Sequence, residues 1–245
     1  MSGTASGSER AEHGEAHPDR AGAHTDDDAA RLRVDPGALI DVQTDRPALS
    51  LTFDDGPDPA YTPTVLRALR SAGVTATFFL IGRNAARYPD LVLQMVEEGH
   101  EVANHTYDHL WLDSCDVESV RHQVVAGEAA VAAHAVGRWF RPPRGWTSKA
   151  VVEVCREQRL DSAFWSVSFE RHQAKGVAEA AGIVVAEARA GSVILCHDGG
   201  HLDGPNPQAV DRSRMVRALP SILDGVLAKG LRPVRLTDLV ALAGA

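Results

Sequence analysis

Short apolar runs alternate with amphipathic helical segments from Ala48 to the end of the chain. In one helical segment, for example, Val65, Leu66 and Leu69 recur at a spacing that places them on one face. Seven runs predict strands, at Leu49–Phe53, Thr75–Ile81, Glu101–Asn104, Trp139–Arg141, Ser162–Ser166, Ser192–Cys196 and Pro233–Leu236. Helical spacing predicts helices at Thr64–Ala72, Asp90–Glu98, Asp116–Val136, Ser148–Gln158, Val177–Arg189, Arg214–Lys229 and Thr237–Leu242.

Regular alternation of strand and helix is typical of an α/β fold with a parallel sheet and crossover helices. About seven such units in roughly 200 residues favour one domain, built as a closed or nearly closed (β/α) barrel. A doubly wound open sheet is the alternative. We expect three segments: an acidic tail at 1–30, a lead-in at 31–47, and the folded domain at 48–245.

Composition and charge narrow the classes of protein that remain. The chain of 245 residues has a net charge of −8, and the first 30 residues carry seven acidic and two basic side chains. That tail lacks the apolar residues needed for a core, so we expect it to be disordered. The rest carries only −3, without the clustered positive charge that nucleic acid binding requires. No apolar run is long enough for a membrane span.

The cellular location is predicted from two features of the sequence. The first 30 residues carry no apolar segment of the kind found in a secretory signal peptide. The chain has three cysteines, an odd number that is typical of reduced thiols rather than a disulfide scaffold. We therefore expect a cytoplasmic protein, for which the sequence gives no oligomeric state.

Chemically active side chains follow three of the predicted strands. Asp54 and Asp55 come directly after the first strand and precede a Gly-Pro turn. His105 and His109 follow the third strand, four residues apart, and could converge on a metal if they share a helical turn. His197 ends a later apolar strand, before two glycines. Taken singly, each feature could also be a polar turn or a structural histidine.

Together these residues predict a catalytic site, because the carboxyl ends of parallel strands meet at one edge of the sheet. Two histidines and one carboxylate are the protein ligands of a catalytic zinc site with an open position. A second carboxylate can serve as a base, and a separate histidine can return a proton to a leaving group. This set is typical of metal-assisted hydrolysis of an amide or an ester.

Four motifs, in this order, resemble those of the polysaccharide deacetylases, the NodB homology family or carbohydrate esterase family 4. They are Thr-Phe-Asp-Asp-Gly-Pro from Thr52, His-Thr-x-x-His from His105, Arg-Pro-Pro-x-Gly from Arg141, and Leu-x-His-Asp-Gly-Gly from Leu195. The resemblance spans roughly Ala48 to Leu239. It implies a distorted (β/α)7–8 barrel in a single domain.

The resemblance also implies a role for each matching residue. Asp55, His105 and His109 would bind a divalent metal, with zinc as the expected ion. Asp54 would be the base that activates water, and His197 would be the acid that protonates the leaving amine. The implied substrate is an N-acetylated sugar. Arg141 would line the groove and orient the base, and Leu195 would pack beside the acetyl methyl group. The other residues expected around the substrate are Pro143, Arg144, Trp146 and Trp165.

One further family motif is altered in this chain. The family typically reads Trp-x-x-Asp-x-x-Asp-Trp, and the second Asp carboxylate partners the catalytic histidine. Here the stretch from Trp165 places Ser168, Arg171 and His172 at the Asp, Asp and Trp positions. Glu170 could replace the missing carboxylate after a shift of one residue. The third motif also departs, because Arg144 stands where an aromatic residue is common, and a cation there could favour an anionic substrate.

Three hypotheses follow for the function. The first is a metal-dependent hydrolase that removes an N-acetyl or other N-acyl group. Because we expect a cytoplasmic protein, a soluble oligosaccharide or small-molecule conjugate is favoured over a cell-wall polymer. The second is a catalytically weakened barrel that binds a carbohydrate or metabolite, which the altered motif from Trp165 suggests. The third is a related metal hydrolase acting on a cyclic amide or ureide, which would use the same site residues.

Overall fold

The computed structural model describes residues 35–172, 174–200 and 210–244. The predicted acidic tail at 1–30 and the first residues of the lead-in lie outside these ranges. Within them the strands are β1 (Ala48–Asp54), β2 (Thr77–Leu80), β3 (Glu101–Asn104), β4 (Trp139–Phe140), β5 (Asp161–Ser162), β6 (Val167–Ser168), β7 (Val193–His197) and β8 (Arg232–Pro233).

Helices follow most of the strands, as the alternation predicted. They are α1 (Thr62–Ala72), α2 (Gly82–Arg87), α3 (Pro89–Glu97), α4 (Val117–Val131), α5 (Lys149–Gln158), α6 (Val177–Glu187), α7 (Ser213–Ala228) and α8 (Leu236–Ala243). The short α2 was not predicted, because its six residues are too few to show a helical period. Side-chain caps begin α4 and α5, where Asp116 and Ser148 accept the backbone N–H groups of Ser119 and Val151.

The strands form one curled parallel sheet in the order β5-β4-β3-β2-β1-β7-β6, and β8 pairs with the start of β1. The sequence predicts one strand at Ser162–Ser166, but the structure has two short strands there, β5 and β6, at opposite ends of this strand order. Residues 163–166 connect them covalently, with Leu39 of the lead-in bridging to Ala163. Among the described residues no ladder joins β5 to β6. The curled sheet is therefore open between these two strands, and it corresponds to the nearly closed form of the expected barrel rather than the closed one.

Hydrophobic side chains fill both faces of the curled sheet. Along β2, Phe78 and Leu80 pack into the large core under the helices, whereas Phe79 between them faces a second cluster. This alternation follows from the two-residue repeat of a strand. The second cluster also contains Trp165 and Leu195 and lies on the opposite face of the sheet, where Leu236 and Leu239 of α8 pack into it. Because both faces are covered, all seven residues of β1 are buried.

In the part of the chain that the structure describes, no helix has the length and apolar character to cross a membrane. All three cysteines are free thiols. Cys155 and Cys196 are buried, and burial raises the pKa of the Cys155 thiol to about 12. These two thiols are core residues rather than nucleophiles.

Candidate active site

The two carboxylates at the end of β1 reach the same site despite being adjacent in sequence. Asp54 is the last residue of the strand, and Asp55 turns out of it with a φ of 74°. This left-handed conformation is uncommon for a residue other than glycine but is tolerated by aspartate. The Asn84 side-chain amide donates to the Asp55 carbonyl at 2.9 Å and supports the turn. Both carboxylates are buried.

The two histidines converge through an irregular loop, so the predicted helical turn is wrong. Thr106 and His109 have φ values of 68° and 58°, which interrupt any helix between them. Side chains support the loop instead: the Asn104 amide oxygen accepts the Thr106 N–H, and Thr106 Oγ1 accepts the His109 N–H. The His105 and His109 rings lie with their centroids 5.1 Å apart.

Helix α4 packs closely against this loop because of a glycine. A Cβ at Gly127 would lie 2.4 Å from Asn104 Oδ1 and 2.7 Å from the Thr106 carbonyl carbon. Only glycine leaves room for the loop at this distance. From the other side, the Gly82 and Arg83 N–H groups of α2 donate to the carbonyls of Thr106 and Tyr107. The histidine loop is therefore held by two helices.

Asp55, His105 and His109 form a buried cluster whose ligand atoms all lie within 4.8 Å of one another. Asp55 Oδ1 is 3.1 Å from His109 Nε2 and 3.5 Å from His105 Nε2. The same oxygen is buried and accepts no hydrogen bond from a described residue. A buried carboxylate oxygen is rarely left in this state, and a cation is the partner that would satisfy it.

The tautomer of His105 also suits a metal. Its Nδ1 lies 2.7 Å from the Arg141 carbonyl oxygen, which can only accept, so Nδ1 carries the proton. In the neutral ring, Nε2 then presents its lone pair to the cluster. A histidine that donates its other ring N–H to a carbonyl is the usual arrangement for a metal ligand. Two imidazole nitrogens and one carboxylate oxygen match the donor set of zinc.

Burial and charge shift the pKa values of the three side chains in different directions. Burial lowers the pKa of His109 to about 4, which keeps this ring neutral at pH 7. Burial also disfavours the charged form of His105, but the charges of Asp54 and Asp55 outweigh it and raise its pKa. For Asp55, burial would raise the pKa, yet His109 and His105 hold it well below its usual value.

Arg141 lies beneath the site and is fully buried, so the expectation that it lines the groove is wrong. Its Nη1 donates to Asp54 Oδ1 at 2.7 Å and to Thr52 Oγ1 at 2.9 Å, as expected of a residue that orients the base. The remaining donors bind the carbonyls of Ala163 and Phe164. A buried guanidinium with all these partners fixes one rotamer of Asp54.

His197 has a carboxylate partner, and that partner is Glu170. The His197 Nδ1 atom lies 2.9 Å from Glu170 Oε1, which confirms the shift of one residue considered for the altered motif. Arg171, at the position where the family has aspartate, is exposed. Burial alone would raise the pKa of the Glu170 carboxyl, but the charge of His197 outweighs burial and holds this pKa below its usual value. His197 Nε2 faces the cluster, 4.0 Å from Asp55 Oδ2.

The residues expected around the substrate occupy different depths. Trp165 and Leu195 are buried in the cluster on the inner face of the sheet. Pro143 is buried, and Trp146 is half-buried without a side-chain hydrogen bond or ring contact to a described residue. Arg144 is half-buried beside the cluster of Asp55, His105 and His109, with its Nη1 atom 3.5 Å from His109 Nδ1.

Two neighbours of the cluster, Trp111 and Arg212, had no role in the sequence analysis. The Arg144 guanidinium lies 3.9 Å above the ring of Trp111, a residue that is partly exposed. Arg212 donates to Asp55 Oδ2 at 2.7 Å. Arg212 is 157 residues from Asp55, and no local pattern marks it. Glu170, by contrast, was detectable as the one carboxylate in the stretch 166–172.

Comparisons with known proteins agree with this geometry. A family model described as polysaccharide deacetylase matches residues 41–163. A peptidoglycan-N-acetylglucosamine deacetylase of Bacillus cereus is 36% identical over 220 residues, covering 86% of this chain and 97% of the relative. A chitooligosaccharide deacetylase of Sinorhizobium fredii is 38% identical over 191 residues, covering 76% of this chain and 89% of the relative.

Solved structures share the fold. A peptidoglycan N-acetylglucosamine deacetylase in complex with 4-naphthalen-1-yl-N-oxidanyl-benzamide superposes with a TM-score of 0.74 at 29% identity, covering 84% of this chain and 93% of the other. A family 4 carbohydrate esterase from Streptomyces lividans in complex with acetate gives 0.67 at 28% identity, covering 78% and 92%.

Proposed function

This chain belongs to the polysaccharide deacetylase family, and we propose that it removes the N-acetyl group of an N-acetylglucosamine-containing oligosaccharide or glycan in a metal-dependent reaction. It is a deacetylase, an enzyme that hydrolyses a carbon–nitrogen bond other than a peptide bond. The substrate class rests on the relatives, whose names are those of peptidoglycan N-acetylglucosamine and chitooligosaccharide deacetylases. The metal and the mechanism rest on the geometry of the site.

The observation that carries the proposal is the buried Asp55 Oδ1 atom, which has two imidazole nitrogens beside it and accepts no hydrogen bond from a described residue. Asp55, His105 and His109 would hold a divalent metal, with zinc as the expected ion. When bound there, the metal would acidify a water molecule and polarise the acetyl carbonyl.

Asp54 would act as the general base. Arg141 holds Asp54 Oδ1, which leaves Oδ2 directed toward the cluster, 3.8 Å from His105 Nε2. Arg141 is the counter-ion of this carboxylate at 2.7 Å, and the ionised carboxylate is the form that can accept a proton from the attacking water. The buried guanidinium also prevents the base from rotating away from the substrate.

His197 would act as the general acid toward the leaving amine nitrogen. Its Nδ1 faces the Glu170 carboxylate, so the proton for transfer is carried on Nε2, which faces the site. Glu170 places a carboxylate beside Nδ1 of the imidazolium that the acid step requires, which holds the ring with Nε2 toward the site. This contact supports turnover rather than binding alone.

Arg144 would line the substrate groove. It lies between the Trp111 ring and His109, and it has no carboxylate within ion-pair distance among the described residues. A half-buried cation in this position would favour an acetylated sugar that carries an anionic group near the acetamido group. Trp111 could stack on a sugar face at the same wall.

The test is acetate release from chitooligosaccharides and from N-acetylglucosamine-containing peptidoglycan fragments, measured on metal-loaded and metal-stripped protein. We expect release by the loaded protein, loss after stripping and recovery when Zn²⁺ is restored. Asp54→Asn should lower kcat by about 10²–10⁴-fold while binding metal as the parent does.

Two results would contradict this function. If the Asp54→Asn variant released acetate at the parent rate, Asp54 would not be the base. If the loaded parent bound oligosaccharides without releasing acetate, a binding barrel would replace the enzyme. A panel of cyclic amides and ureides run in parallel would detect the third hypothesis, since those substrates would turn over where acetylated sugars do not.

A further inference from the structure

Arg212 lies between the cluster of Asp55, His105 and His109 and the Glu170–His197 pair. Its Nη2 donates to Asp55 Oδ2 at 2.7 Å, and its Nε donates to the Gly199 carbonyl at 2.7 Å. Its Nη1 is 3.9 Å from Glu170 Oε1. The side chain is only 13% exposed. One guanidinium thus contacts the cluster, the backbone after β7 and the carboxylate partner of His197.

This contact divides the two oxygens of Asp55 between different partners. Oδ1 faces His105 and His109, whereas Oδ2 faces Arg212. A carboxylate in which one oxygen is held by a charged hydrogen bond keeps the other oxygen in a fixed direction. Asp55 therefore presents a single oxygen to the site instead of rotating to present either one.

The position of Arg212 is set by a packed helix. Arg212 is the residue directly before α7, whose Met215, Leu219 and Leu223 are buried in the main core. The hydrogen bond from Nε to Gly199 adds a second fixed point. A planar guanidinium anchored at two points loses little further freedom when it binds Asp55.

We propose that Arg212 is a positioning residue, which holds the second oxygen of Asp55 so that the first faces the two histidines, and which links this carboxylate to the Glu170–His197 pair. The inference rests on the proposed metal site. Outer partners of ligating carboxylates commonly change metal affinity or activity by about 10–100-fold when they are removed.

The experiment measures the affinity for Zn²⁺ by competition with a chromophoric chelator, in the parent, Arg212→Met, Arg212→Lys and the control Arg217→Met. Methionine keeps much of the apolar stem of arginine without its charge or donors. Arg217 lies on α7 and is exposed, away from the cluster. The visible absorption of bound Co²⁺, which depends on coordination number, and the separate values of kcat and KM complete the comparison.

We expect Arg212→Met to bind Zn²⁺ about 10–100-fold more weakly, to alter the Co²⁺ spectrum, and to lose kcat with little change in KM. Arg212→Lys should be intermediate, because an ammonium cannot bind Asp55 and Gly199 through a fixed fork. Arg217→Met should match the parent. Measuring metal binding at a temperature well below unfolding separates these effects from a loss of stability.

Equal or tighter Zn²⁺ binding by Arg212→Met would overturn the inference, because the guanidinium would then only repel the ion. An equal loss in Arg217→Met would overturn it as well. If Arg212→Met does not fold, Arg212→Lys decides, and affinity equal to that of the parent would reject the role. A parent that binds no metal would instead refute the proposed function.

Discussion

Glu170 Oε1 lies 2.9 Å from His197 Nδ1. This pair supplies the carboxylate that the altered motif lacks at its usual position, because Glu170 reaches the histidine from one residue earlier in the chain. The short 3-10 helix Glu170–His172 directs residue 170 inward and leaves residue 171 exposed.

Glu170→Gln should lower kcat while KM changes little. Glutamine keeps the shape of the side chain but replaces the charged hydrogen bond to His197 Nδ1 with a weaker neutral one, so the ring is held less firmly. General acid–base catalysis contributes about 10²–10⁴-fold, and we expect this variant to lose about tenfold or more of it. Steady-state acetate release measures the effect. Glu153→Gln, at an exposed position on α5, is the control and should match the parent. Parent-like kcat in Glu170→Gln would show that the contact has no part in turnover.

Arg171→Asp, which restores the carboxylate at the family position, should change kcat/KM by no more than about twofold. Arg171 is exposed, and exposed substitutions of this kind have small effects on a folded protein. The measurement is the same acetate assay. A gain of about tenfold or more would mean that residue 171, rather than Glu170, is the natural partner of His197.

Arg141→Met should destabilise the protein strongly. The substitution leaves the buried Asp54 carboxylate without its cation, which typically costs about 3–5 kcal/mol. Urea unfolding of the metal-free protein measures this free energy, and Arg156→Met on the exposed side of α5 is the control.

The double variant Arg141→Met with Asp54→Asn tests the cause of that loss. Its destabilisation should be smaller than the sum of the two single effects, because no unpaired charge stays buried. Additive effects would indicate that Arg141 stabilises the fold through its contacts with the carbonyls of Ala163 and Phe164 instead.

Asp198→Asn should remove a pH dependence of stability. Burial raises the pKa of Asp198 to about 7, so the folded state favours the protonated carboxyl. The contribution of Asp198 to the free energy of unfolding is therefore complete below the unfolded pKa near 3.8. It is lost as pH rises toward 7, by about 1.4 kcal/mol for each pH unit. Asparagine stays neutral, and its amide oxygen can still accept the hydrogen bond from Thr62.

Urea unfolding at about pH 4, 5.5 and 7 spans this range and measures the difference. Relative to the parent, Asp198→Asn should gain stability steadily as pH rises, whereas Asp224→Asn, at an exposed position on α7, should follow the parent. Parallel pH profiles for Asp198→Asn and the parent would show that Asp198 is ionised in the folded protein across this range.

Several expectations from the sequence are not tested by the structure and stay predictions. The expected disorder of the tail at 1–30 concerns residues outside the described ranges, and the cytoplasmic location is untested by the fold. The catalytic roles of Asp54 and His197, the identity of the metal, and the contributions of Pro143, Trp146, Trp165 and Leu195 to substrate binding also stay predictions.

The sequence alone determined the fold class and the residues of the cluster of Asp55, His105 and His109. Apolar periodicity reports which side chains are buried locally. Every predicted helix has a counterpart in the structure, and so does every predicted strand except Ser162–Ser166, most of which connects β5 to β6. Because parallel strands end at one edge, residues that follow β1, β3 and β7 had to meet there. That rule brought Asp55, His105 and His197 together without any knowledge of packing.

Only the tertiary structure decided how the cluster is held. The loop between His105 and His109 depends on close packing against Gly127, the depth of Arg141 depends on its enclosure by β1 and the chain after β5, and the approach of Arg212 depends on how α7 packs. Each of these is a contact between segments far apart in sequence. Local periodicity carries no information about such contacts, so the shape of the histidine loop, the burial of Arg141 and the approach of Arg212 became visible only when the chain was folded.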